Sequence, residues 1–152
     1  MWSLGTHEDQ IFAQSRTIVR SKSTDTSDIV EAMKQRRTAL STGPIGDLAI
    51  TFKATSCGIG DTFMARKNDI LKMTYRGLCT EEFGSLMDVT VYTGNLETRE
   101  ETLLFHHSEM SDGFEIVQNF KVPGKSYLRL EISSDGSRWP GIYVSSPIWI
   151  EV

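Results

Sequence analysis

Thr26-Ser27-Asp28-Ile29-Val30-Glu31-Ala32-Met33-Lys34-Gln35-Arg36-Arg37, running on into Thr38-Ala39-Leu40-Ser41-Thr42-Gly43-Pro44, decides how this chain is read. The first part predicts a short helix over about 27–37. Thr26 supplies a hydroxyl cap, Asp28 an acid in the first turn, and Ile29, Ala32 and Met33 an apolar stripe. Lys34, Arg36 and Arg37 place cations at the C-terminal end, where the last carbonyls carry partial negative charge. The second part is too β-branched, and too broken by Gly43 and Pro44, to continue the helix, so it reads as an exit turn. Beyond it, residues 48–53 alternate apolar and polar and predict the first strand of a β-domain. One helix feeds a run of strands.

Working outward, residues 16–19 read as a short strand before a polar linker. Downstream, strands are predicted at 62–64, 70–76, 86–92, 102–107, 114–120, 127–133, 142–144 and 148–152. Gly58-Ile59-Gly60-Asp61 marks a turn, and Ser134-Asp135-Gly136-Ser137 a hairpin, because Asp-Gly supplies the positive φ such turns need. Short strands at near-regular spacing with one-sided alternation describe an antiparallel β-sandwich, immunoglobulin-like or jelly-roll-like, preceded by one short α-helix. The division expected is residues 1–45 as an N-terminal segment and 46–152 as the sandwich. Ile50, Phe52, Leu71, Met73, Val89, Val91, Leu128, Leu130 and Ile132 lie on the apolar sides of their runs and are the predicted core. Pro147 cannot donate a ladder hydrogen bond, so the last strand is expected at an edge, or bulged there.

At 152 residues the chain is long enough to bury a full core as one domain. A net charge of −4, with no basic stripe, argues against a nucleic-acid partner. No apolar run is long enough to cross a bilayer, so no membrane partner is expected; this leaves the compartment open, with the cytoplasm slightly favoured. Cys57 and Cys79 lack the spacing of a zinc or redox pair; a disulfide and two thiols both stay open, and a core of this size needs no covalent staple.

Three clusters carry chemistry-bearing side chains. His7-Glu8-Asp9 offers His7 and Asp9 as metal ligands, against the plainer reading of an exposed polar loop. His106-His107-Ser108-Glu109 is a second; adjacent strand residues point to opposite faces, so one histidine at most joins any site, and Glu109 is expected in the following turn. Trp139, Tyr143 and Trp149 form the third, a stacking platform for sugars if exposed and core if inward. Trp149, flanked by Ile148 and Ile150, cannot share their face and is the surface residue of the three. No phosphate-binding glycine loop, serine elbow or Cys/His nucleophile pair is present.

Four segments together resemble the C-terminal part of polymerase-and-histidinol-phosphatase (PHP) superfamily metallohydrolases that carry a β-sandwich after the catalytic barrel. The run from Asp28 to Pro44 is similar to the last barrel helix and its Gly-Arg-Thr … Ser-Thr-Gly-Pro exit, with Arg36 where that pattern has Gly. Gly58-Ile59-Gly60-Asp61 resembles the Gly-Asp turn after the first sandwich strand. Ser145-Ser146-Pro147-Ile148-Trp149-Ile150 is similar to the closing strand, and Arg16-Thr17-Ile18-Val19 to the Arg-Thr-x-Val strand downstream of the final metal motif. That motif is of Gly-Ser-Asp-x-His type; Gly5-Thr6-His7-Glu8-Asp9 departs from it, with His7 at the aspartate and Asp9 at the histidine position. The resemblance implies a non-catalytic C-terminal accessory domain of a phosphoesterase-like, metal-dependent hydrolase. It implies no cofactor in isolation, a divalent Zn or Mn in the full-length parent, and a missing N-terminal barrel or a homodimer partner for the apolar helix face. The alternative is a free-standing β-sandwich that binds carbohydrate or a cell-surface ligand.

Overall fold

A computed structural model of the chain describes residues 15–84, 86–111, 113–135 and 141–152. In chain order the elements are β1 (Arg16–Val19), α1 (Thr26–Lys34), β2 (Thr38–Ser41), β3 (Ile45–Phe52), β4 (Thr55–Gly58), β5 (Thr62–Met64), β6 (Ile70–Leu78), β7 (Leu86–Asn95), β8 (Glu101–Ser111), β9 (Gly113–Lys121), β10 (Ser126–Ser134), β11 (Ile142–Ser145) and β12 (Ile148–Glu151). The smaller sheet runs β4-β3-β6-β9, antiparallel throughout. The larger runs β1-β2-β11-β10-β7-β8, with β12 beside β10 and β5 parallel to β12. The two sheets pack as a sandwich, as the alternation predicts.

The core is made by period-two strands that each turn one face inward. Leu71, Met73 and Tyr75 of β6 are buried, as are Val89 and Val91 of β7 and Leu128, Leu130 and Ile132 of β10. Phe52 departs from the expectation and is only half-buried. It ends β3 at a tight hairpin whose next residue, Lys53, has φ 55°, so its ring sits at the rim, beneath the Lys53 ammonium. Inside the sandwich the Tyr75 hydroxyl meets His107 Nε2 of the opposite sheet at 2.7 Å; burial pushes the phenol up to about 12.

Pro147 does not place the last strand at an edge: β12 lies between β10 and β5. The proline instead breaks one long partner of β10 into two collinear pieces. β11 pairs residues 131–133 of β10 and β12 pairs residues 126–128. Opposite the break, the Leu130 N–H has lost a ladder acceptor, and Ser145 Oγ takes its place at 2.9 Å. Beyond β10, Gly136 and Ser137 of the Asp-Gly turn lie outside the described residues, while the strands on either side of it pair antiparallel.

Four local expectations change. Residues 38–41 are not an exit turn but β2, whose Ala39 and Ser41 are buried while Leu40 faces out. β4 was not legible as a strand either. Glu109 lies within β8, which continues to Ser111; its φ of 57° marks a bulge where Met87 pairs Met110 but Val89 pairs His107. The helix cap is Asp25 rather than Thr26, without a side-chain cap bond; Ser23 Oγ instead donates to Asp28 at 2.7 Å.

The helix ends earlier than its apolar and basic pattern suggests, and the reason is Arg36. With φ 59° it is left-handed, and it closes the helix through paired bonds from Arg36 N to Met33 O and from Arg37 N to Ala32 O. Glycine is the residue that takes this position without a Cβ clash. Arg36→Gly is therefore expected to stabilise the fold by roughly 0.5–1 kcal/mol, the left-handed penalty less the entropy cost of glycine. Urea unfolding of the two proteins checks it, and a lowered midpoint would sink the argument. α1 packs on β1 with Ala32 buried, whereas Val30 and Met33 stay exposed.

Candidate functional site

The predicted metal ligands His7 and Asp9, with Glu8, lie outside the described residues, as does Trp139. His106 and His107 take opposite faces as expected: His106 Nδ1 is 3.2 Å from Thr90 Oγ1 on the outer face, and His107 points to Tyr75. Among the described residues no three His, Cys, Asp or Glu side chains cluster as a metal site. Tyr143 is fully buried, so it adds nothing to a sugar-stacking surface, and its hydroxyl titrates higher than usual because it is desolvated. Trp149 is half-buried, edge-on to Tyr127 at 5.6 Å. Cys57 and Cys79 are not linked to each other; Cys79 Sγ lies 3.7 Å from the Thr80 carbonyl.

The chain instead gathers polar side chains where α1 ends, the β4–β5 turn bends and β11 gives way to β12. The turn is built by its own aspartate: Asp61 Oδ2 accepts from Gly58 N at 3.0 Å, while Asp61 Oδ1 accepts from Arg37 Nε at 2.8 Å. Gly60, at φ 83°, lies so close to the end of the helix that a Cβ would be 2.5 Å from the Arg36 carbonyl. Its N–H donates to Pro147 O at 3.0 Å, and Trp149 N–H donates to Asp61 O at 2.9 Å. One step further on, Ser146 N–H donates to Thr38 O, and the two hydroxyls of Thr38 and Ser146 meet at 3.2 Å. Arg16 of β1 reaches back, donating to Gly43 O at 3.0 Å across the Phe83 ring.

Electrostatically this corner is cationic although the chain is net acidic. Two clefts of about 310 Å3 each flank the Arg37 and Asp61 pair, one lined by Arg20, Lys22 and Cys57, the other by Lys34, Arg36 and Trp149. Burial and Asp61 push the Cys57 thiol up, while Arg37 and Arg20 pull against them. Such a corner holds a helix end to a sheet and presents guanidinium and ammonium groups to solvent; it has no activated nucleophile among the described residues. In the sequence the cations of 34–37 read as a helix end, and nothing there joins them to Arg20 or Lys22. No local spacing links these positions, because the strand pairing of β1 with β2 is what brings them together. Comparison with protein-family models and with curated proteins finds no match for this chain.

Proposed function

We propose that this chain is the accessory β-sandwich of a PHP-type metal-dependent hydrolase, non-catalytic alone, which packs against the barrel that carries the chemistry. One observation supports it above the rest. The four segments that carry the resemblance are far apart in sequence yet contact one another directly: Arg16 with Gly43, Arg37 with Asp61, Thr38 with Ser146, Gly60 with Pro147 and Asp61 with Trp149. Residues that matter only as isolated short motifs have no reason to meet; residues that make one junction do. In this reading the junction locks the helix that leads out of a barrel onto the sandwich, so the sandwich is held at a fixed attitude. The exposed Val30 and Met33 would then meet the barrel.

The reading is tested from both sides. The genomic sequence immediately upstream is expected to be an open frame that encodes a His-x-His ligand pair; a stop codon or a signal peptide there would overturn it. On the protein itself, zinc and manganese calorimetry and an aryl phosphate assay are expected to give no turnover and no His7-dependent binding. Turnover together with micromolar metal binding that His7→Ala abolishes would make the chain an enzyme in its own right.

A further inference from the structure

We propose that the cleft between Arg20, Lys22 and Arg37 is a binding site for a phosphoryl group, either free phosphate or the head of a small phosphomonoester. This does not rest on the accessory-domain reading and stands or falls separately. The cleft is about 310 Å3, at the small end of ligand pockets, which suits a phosphoryl group with little attached to it.

Two arginines, Arg20 and Arg37, stand on its wall. The Arg20 N–H donates to the Arg37 carbonyl at 2.8 Å, which fixes the two backbones together. The Arg20 side chain then lies over Gly58, so closely that a Cβ there would be 1.1 Å from its Nη1. Gly58 is thus a seat for an arginine. Close packing of like charges is costly unless an anion is shared between them. The carboxylates nearby offset this charge only in part: Asp61 pairs with Arg37, and Asp47, shared with Arg76, pairs more loosely with Arg20. Both oxygens of Asp61 are engaged, one by Arg37 Nε and one by Gly58 N. Asp47 lies 3.8 Å from Arg20 Nε but makes its hydrogen bond to Arg76 at 3.0 Å. Arg37 is held through Nε, and both it and the exposed Lys22 line the cleft. Ser21 Oγ, on the same wall, is buried without a hydrogen-bond partner. Two guanidiniums and an ammonium at one small cleft match the tetrahedral oxygens of a phosphoryl group, which accepts several bonds at once.

The test is an NMR titration of the full chain with inorganic phosphate, with phenyl phosphate, and with chloride at matched ionic strength. Amide signals of Lys22, Gly58 and Asp61 are expected to shift saturably with the phosphates and not with chloride. Tighter binding of phenyl phosphate identifies a phosphomonoester as the ligand, and tighter binding of inorganic phosphate identifies the free ion. Arg20→Ala and Lys22→Ala should each weaken binding about tenfold, the order expected for one hydrogen bond between charged groups. Gly58→Ala should match Arg20→Ala, because it evicts the same guanidinium. The spectra report folding directly, and if Gly58→Ala does not fold, the two variants at exposed cations decide the matter. Shifts that grow linearly, that chloride reproduces, or that Arg20→Ala leaves unchanged would overturn the site.

Discussion

Gly60→Ala should lower the unfolding free energy by ~2–4 kcal/mol, as the sum of a left-handed backbone penalty and a steric one. The first arises because Gly60 has φ 83°, where a Cβ is unfavourable in any surroundings. The second is specific to this fold. The added methyl would lie 2.5 Å from the Arg36 carbonyl carbon and oxygen and 2.7 Å from Arg37 N, all of them backbone and unable to swing aside. Relief requires the helix end and the turn to part, which stretches the Arg37 bond to Asp61 and the Gly60 bond to Pro147. Denaturant midpoints of the two proteins measure the loss. A change below about 1 kcal/mol would show that the turn and helix end are not in contact in solution.

Leu130→Ala is the second large effect, at a cost of ~2–5 kcal/mol for a large-to-small change in a closed core. Leu130 is fully buried at the middle of β10, the strand that partners β7, β11 and β12. Its backbone N–H is already bonded to Ser145 Oγ, so the substitution removes side-chain packing without freeing a polar group. Leu40→Ala provides the contrast. Leu40 is 52% exposed on β2, and its loss should stay within about 0.5 kcal/mol. Equal effects at the two leucines would mean that the inward face of the larger sheet has been misassigned.

What the sequence made legible follows from periodicity. β6, β7 and β10 are long and have one wet face, so their alternation is unbroken and their core positions are the right ones. β2 and β4 are four residues each, with a turn residue at one end, and two turns of alternation are too few to stand out against a Gly-Pro signal. Glu109 looked like a turn residue because bulges and turns ask for the same backbone geometry. At the candidate site, Asp61 and Gly60 could be read as a turn, but their partners could not. Arg37, Pro147 and Trp149 come to that turn through strand register, which no single stretch of the chain encodes. Tyr143 shows the same limit. Its neighbours alternate, yet only the position of the opposite sheet shows that its phenol faces inward.

The split partner of β10 has a consequence for the time course of folding. β5 is synthesised well before the strand it pairs with, β12, and the register joins Thr62 to Trp149. The 58–61 turn also waits, since its Gly60 N–H needs the Pro147 carbonyl. A chain emerging from the ribosome can align β3 with β4 and β6 as they appear, because those pairings are close in sequence. It cannot close the larger sheet until residues 147–151 are free to enter between β10 and β5. That step joins distant segments in one move and must bear the closure entropy of the whole intervening loop. Closure of the larger sheet is therefore a late step in folding, completed by a strand that fills an interior slot rather than trailing along an edge.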